Sequence, residues 1–227
     1  MITKFSIGAH RDEVKEYVKD KRVIDVGGAM NTWLDPKPYA CVDILKGECT
    51  ENWRGDINMP LVWVDIVDYV DVHGKFDFAV CTHVLEDLRN PPMVLEMLPL
   101  IAKEGFISTP TKHAESNFVE CGNVNTMNKM NLQTLYHGYI HHRWLFSVKI
   151  NDNQPTLFMF PKLGWLEHLK GKKEEWGTTL DWVTRPGGEL SVWWKDNVPY
   201  KLFQDDWLGP NPWDMAVKFQ QELKEGL

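Results

Sequence analysis

Cysteine is scarce in this chain: four in 227 residues, at positions 41, 49, 81 and 121, with no CxxC pair. That spacing weighs against a disulfide-stapled scaffold and against a cysteine-rich metal site. Cys41 and Cys81 fall in apolar runs that read as strands, so buried, reduced thiols of a cytoplasmic protein are expected. Long hydrophobic runs are also missing. Nothing approaches the ~20 apolar residues needed to cross a bilayer, and the opening "MITKFSIGAHRDEVKEYV" lacks the apolar block of a signal peptide. A soluble protein with no membrane partner follows as the expectation. Positive charge is in deficit, 25 basic against 32 acidic residues for a net charge of −7. A surface built to track nucleic-acid phosphates is therefore not expected. There is no internal repeat and no low-complexity linker.

Tryptophan is what the chain has in excess. There are eleven, seven of them between Trp165 and Trp213. Each supplies a large rigid face and one N–H donor, which suits either packing of a C-terminal extension or a ligand-facing wall. The length fits one large domain or a domain with an appendage. The expected division is a core over 1–162 and a Trp-rich extension over 163–227 that packs on it without being independent.

Hydrophobic periodicity gives the elements. Residues 11–21 carry Val14, Tyr17 and Val18 at helical spacing. "RVIDV" (22–26) and "YACVDIL" (39–45) read as strands, and Pro36 and Pro38 between them leave no room for a crossover helix. "GDINMP" (55–60) reads as a short extended piece, 61–72 as a helix, "KFDFAVCTHVL" (75–85) as a buried strand running into a turn. "NPPMVLEMLPLIA" (90–102) has prolines suited to a first helical turn, and "GFISTP" (105–110) is the next strand. "RWLFSVKI" and "TLFMFPK" around "NDNQP" predict an antiparallel pair, and 190–203 a further hairpin turning at "KDN". The alternation predicts an α/β fold with a mostly parallel sheet and helices on its faces.

Ligands of such sheets bind at the carboxyl ends of the strands, and four of those ends carry suitable groups. Asp25 precedes Gly27, Gly28 and Ala29 in "VIDVGGAMN". A dinucleotide fingerprint would set glycines at 27, 29 and 32, where this chain has Gly27, Ala29 and Thr32. Asp43 stands 16 residues after Gly27, suited to a ribose diol; Asp56 and Ile57 suit a purine; Cys81, Thr82 and His83 face the centre.

In these motifs, from "VIDVGGAMN" through "CVDI", "GDINMP" and "FDFAVCTHVLEDLRNPPMVLEML" to "GFISTP", the segment 22–110 resembles the class I S-adenosylmethionine-dependent methyltransferases, in a compact form similar to the type 11 methyltransferases. The resemblance implies a Rossmann-like seven-stranded sheet, mostly parallel with an antiparallel C-terminal hairpin, and S-adenosyl-L-methionine as cofactor. It implies that Asp25 and the backbone of Gly27, Gly28 and Ala29 meet the methionine end, with Asn31 in the same loop where many relatives have glycine. Asp43 would take the ribose hydroxyls, Asp56 and Ile57 the adenine, and Thr82 and His83 would lie near the sulfonium.

The acceptor is expected to be a small molecule methylated at oxygen. A sugar-containing acceptor would suit the tryptophan faces. "HGYIHHRW" (137–144) offers His141 and His142 as general-base candidates and Arg143 as an anchor for a substrate carboxylate or phosphate. The alternatives for these histidines are surface or capping roles, or a metal site from His137, His141 and His142. Glu86 and Asp87 read as solvated helix residues, while Lys112 and Glu115 are placed at the substrate mouth. A binding protein without catalysis and an NAD-linked oxidoreductase are the competing functions.

Overall fold

A computed structural model describes residues 1–28, 33–116, 118–120, 135–137, 141–162, 188–203, 221–222 and 225. In chain order the elements are β1 (Ile2–Ile7), α1 (Arg11–Val18), β2 (Val23–Val26), β3 (Ala40–Asp43), β4 (Glu51–Arg54), α2 (Pro60–His73), β5 (Phe76–Thr82), a 3-10 turn (Leu85–Asp87), α3 (Pro91–Ile101), β6 (Ala102–Pro110), α4 (Lys112–Ser116), β7 (Phe118–Glu120), β8 (Leu135–His137), β9 (Trp144–Asn151), β10 (Gln154–Pro161), β11 (Glu189–Lys195) and β12 (Tyr200–Leu202).

Seven strands form the main sheet in the order β1-β11-β6-β5-β2-β3-β4. β2 pairs in parallel with β3 and β5, β3 with β4, and β5 with β6. β11 alone runs against its neighbours, antiparallel to β6 and to β1. The central strands are buried on both faces, which is why "VIDV" and "FDFAVCT" read as near-continuous apolar runs. One face is covered by α2 and α3 through Trp63, Ile66, Leu95 and Leu98. The other is covered by α1 through Val14 and Val18, which pack with Phe78, Val80 and Phe106. Between β2 and β3 the described residues contain no helix, as the prolines predict.

β9 and β10 form the expected antiparallel hairpin, turning through Asp152 and Asn153 with φ of 48° and 64°. They belong to a separate sheet of order β12-β10-β9, whose inner residues Phe146, Val148, Leu157 and Met159 join the main core.

Two local expectations are corrected. The extended piece assigned to 55–60 lies four residues earlier, at β4; Asp56 Oδ1 accepts the Asn58 N–H at 2.9 Å, and that side-chain turn together with Pro60 at the start of α2 ends the strand. Residues 190–203 are not a hairpin. β11 enters the main sheet, whereas β12 pairs in parallel with β10. The N-terminal strand β1 lacks a clean period-2 pattern, and its place on the sheet edge is set by pairing with β11, from Ile7 opposite Leu190 to Ile2 opposite Trp194, 183 to 192 residues downstream. Trp193 and Trp194, within 163–227, sit on β11 and are 8% and 1% exposed, part of the core rather than a ligand wall. Five of the other tryptophans, at 165, 176, 182, 207 and 213, lie outside the described residues. No described helix is long and apolar enough to cross a membrane.

Candidate functional site

The carboxyl ends of β2, β3 and β4 are stitched together by backbone hydrogen bonds. Gly27 N–H donates to the Val42 carbonyl at 2.8 Å, and Gly55 N–H donates to the Asp43 carbonyl at 2.9 Å. The bend after β2, the end of β3 and the turn after β4 are therefore neighbours along one edge. Gly27 has φ +83°, a conformation costly for any side chain, and a Cβ there would strike Val84. A Cβ on Gly28 would collide with both oxygens of the Asp25 carboxylate, which is 2% exposed. The adjacent pair thus has its own reason: one glycine makes the turn, the next makes room for an acid. Ala29 and Asn31 lie outside the described residues.

Asp43 closes β3 half-buried, and its Oδ1 accepts the Leu45 N–H at 2.9 Å. Asp56 is exposed in the turn after β4. Ile57 is 6% exposed and packs in the core, with its carbonyl accepting Trp63 Nε1–H at 2.9 Å. Thr82 ends β5, and its hydroxyl accepts Trp33 Nε1–H at 3.1 Å, which ties the segment after the glycines back to the centre of the sheet.

His83 follows with φ 53°, a strained conformation for a residue with a Cβ. Its Nδ1 lies 3.2 Å from Glu86 Oε1 and its Nε2 3.4 Å from Glu189 Oε2. Burial works to lower the His83 pKa, but the two carboxylates outweigh it and push the imidazole up to about 9. At neutral pH the ring is a cation held between two acids, not a base. Glu86 has no solvent exposure; burial raises its pKa, opposed by His83. Its place in the 3-10 turn overturns the expectation of a solvated helix residue: Leu85 and Leu88 anchor the turn in the core, and Glu86 is carried inward with them. Sequence reading missed Glu189 altogether. Its signal lay in position, the first residue of the strand beside β6.

A second cluster lies on the other side of that turn. His142 is 7% exposed, and its Nδ1 meets Glu115 Oε1 at 2.5 Å. The other Glu115 oxygen accepts from Lys162 Nζ at 2.5 Å. Glu115 is fully buried, not at a mouth, because α4 packs against β9. Lys162 was not anticipated; burial lowers its pKa against the pull of Glu115. Asp87 Oδ1 stands 3.8 Å from His141 Nε2 and 3.9 Å from His142 Nε2. Burial raises the Asp87 pKa, opposed first by His142 and then by His141. Arg143 is exposed, and its backbone N–H donates to the Glu86 carbonyl at 2.6 Å, docking the 141–143 segment on the turn. The side chain of His137 lies outside the described residues. Lys112 is not at the substrate side. It is 1% exposed, its ammonium donating to Ser147 Oγ at 3.2 Å and the Glu222 carbonyl at 2.7 Å.

Among known proteins, the family described as a methyltransferase domain matches residues 8–148, more than half of the chain. No curated protein sequence matches it significantly. Solved structures similar to it include the N-terminal domain of EvdMO1 with S-adenosylhomocysteine bound, 14% identical over 47% of this chain and 52% of that one, with a TM-score of 0.34. They also include an S-adenosylmethionine-dependent methyltransferase from Thermotoga maritima, described as a possible histamine N-methyltransferase, 11% identical over 81% and 87% with a TM-score of 0.35. A third is an S-adenosylmethionine-dependent methyltransferase from Mesorhizobium loti, 9% identical over 82% and 97% with a TM-score of 0.36. The chain spans about half the length of the EvdMO1 domain it matches. The domain match over residues 8–148 shows that the chain belongs to the methyltransferase-domain family, in keeping with its seven-stranded, mostly parallel sheet and the glycine bend after β2.

Proposed function

We propose that this enzyme transfers the methyl group of S-adenosylmethionine to a hydroxyl oxygen of a small molecule. The observation that carries the reading is the backbone stitching of Gly27 to Val42 and of Asp43 to Gly55, which supports one continuous cofactor edge over β2, β3 and β4. Asp25 and the Gly27–Gly28 bend would hold the methionine end, Asp43 the ribose diol, and Asp56 the adenine amine, with Ile57 packing beneath. The residues of this edge suit the cofactor: the acids favour a ligand with a cationic sulfonium and ammonium. Thr82 and His83 would lie nearest the sulfur. When bound, the cofactor supplies the electrophilic methyl; the protein has to align the acceptor oxygen with it, exclude water and remove a proton.

The residues for the last task lie around the 3-10 turn. His142, oriented at Nδ1 by Glu115, is the candidate base, with His141 beside it and Arg143 placed to anchor an anionic group on the acceptor. Trp33, bonded to Thr82, and Trp144, two residues after His142, are both half-buried, and such indole faces suit a sugar-containing acceptor. Calorimetric titration with S-adenosylmethionine and S-adenosylhomocysteine tests the reading. Both are expected to bind and to raise the unfolding temperature, while NAD does neither. A folded protein that ignores both sulfur compounds would overturn it.

A further inference from the structure

We propose that Asp87, His141 and His142 form a binding site for one divalent transition-metal ion. The three side chains come from two segments that the fold presses together, the 3-10 turn after β5 and the stretch leading into β9. One ligand atom from each of the three lies within 4.8 Å of the other two. The carboxylate oxygen is 3.8 Å from one ring nitrogen and 3.9 Å from the other. Zinc bonds of ~2.0–2.1 Å in tetrahedral geometry set ligand atoms roughly 3.3 Å apart, so closure on an ion needs the two carboxylate contacts to shorten by about half an ångström and the two ring nitrogens to draw together by at most about 1.5 Å. Two of the three ligands can make that shift cheaply, since the His141 and Asp87 side chains are 61% and 43% exposed. That exposure also gives an ion its way in.

The third ligand is fixed, and the way it is fixed is the second reason for the assignment. His142 Nδ1 meets the carboxylate of Glu115 at 2.5 Å, and both side chains are almost wholly buried. A carboxylate on one ring nitrogen sets the tautomer, directs the other nitrogen at the metal and raises its basicity. Lys162 on the second Glu115 oxygen supplies the counter-charge, so Glu115 can accept the Nδ1–H of an uncharged ring. Besides the histidines, two cations act on Asp87: Arg143, whose side chain is exposed, and Lys162, which Glu115 holds.

Two imidazoles and one carboxylate select zinc, cobalt, iron or nickel rather than magnesium or calcium. Three protein ligands leave a coordination position open. The ion's use rests on the methyl-transfer reading: the open position would take an acceptor oxygen and lower its pKa, a role otherwise given to His142 as base. Its binding does not rest on that reading.

The test uses the full chain, stripped with chelator and titrated with Zn²⁺ and Co²⁺, beside a separate titration with S-adenosylhomocysteine. One equivalent of Zn²⁺ and visible Co²⁺ ligand-field bands, displaced by Zn²⁺, are expected. His141→Ala, at an exposed position, should abolish the bands and weaken Zn²⁺ at least tenfold with folding intact. Glu115→Gln should weaken it about 10–100-fold without touching a ligand atom. A wild-type chain without Co²⁺ bands, or a His141→Ala chain with wild-type Zn²⁺ affinity, would sink the proposal. So would a thiolate charge-transfer band, which would put the ion on cysteine instead. S-adenosylhomocysteine binding without metal binding removes only the metal site; the reverse removes only the cofactor reading.

Discussion

His83 Nδ1 stands 3.2 Å from Oε1 of Glu86, a carboxylate shut off from solvent, while the other face of the ring meets Glu189. The pair converts a residue that ordinarily titrates near 6.5 into one that keeps its proton to about 9. Because the folded pKa lies above the unfolded one, the stabilisation is fully present below about pH 6.5 and is lost as pH rises through about 9. Comparing His83→Gln with wild type by chemical denaturation from about pH 6 to about pH 10 isolates this term, since the backbone cost of the substitution does not depend on pH. The stability gap should narrow steadily across that range. A gap independent of pH would show that the ring is not held as a cation.

Why the sequence revealed one half of the site and not the other is visible in Asp43 and Glu86. Asp43 ends a strand recognisable from its own apolar run, so its position on the sheet edge follows from local pattern. Glu86 sits in a three-residue turn whose direction is decided by Leu85 and Leu88 packing against distant strands. Its charge suggested solvent; tertiary packing put it inside. The same holds for Glu115, Lys162 and Glu189, which meet their partners across 27 to 106 positions, taking Glu115 to His142 and His83 to Glu189 as the limits. Periodicity carries no information over such separations. β1 illustrates the point for the fold: its pairing with the N–H and C=O row of β11 sets it at the sheet edge.

Gly28→Ala should act through Asp25. The new Cβ falls on the buried carboxylate, which has to move, and overpacking of this kind costs about 1–3 kcal/mol. Since the same acid is assigned to the methionine end, S-adenosylhomocysteine affinity should fall roughly tenfold, about 1.4 kcal/mol. Gly74→Ala provides the comparison. Gly74 has φ +76° but open space around its Cβ position, so it should lose stability from backbone strain alone, with affinity unchanged. Equal affinity losses in the two variants would separate Asp25 from the cofactor.

Asp43 can be examined with two substitutions. Its Oδ1 already accepts the Leu45 N–H, so Asp43→Ala removes both a turn contact and the proposed ribose acceptor. The expected loss in cofactor binding is about 1.5–3 kcal/mol, or roughly 10–100-fold. Asp43→Asn keeps an acceptor for Leu45 but replaces the other oxygen with a donor. It should retain stability and still bind S-adenosylhomocysteine poorly by calorimetry. Full affinity in Asp43→Asn would take the ribose away from this position.

The Glu115 carboxylate joins two buried groups, His142 and Lys162, at 2.5 Å each, and that arrangement fixes the sign of the last expectation. Removing one partner of a buried ion pair leaves a charge without compensation and costs about 3–5 kcal/mol. Glu115→Ala should fall in that range, because Lys162 is only 4% exposed and cannot reach water without displacing β10. Replacing both charges removes the penalty along with the attraction. The double variant Glu115→Ala/Lys162→Met should therefore be more stable than Glu115→Ala alone, measured by urea unfolding with unchanged slope. If the two losses simply add, Glu115 and Lys162 act independently, and the orientation of His142 needs another explanation than this shared carboxylate.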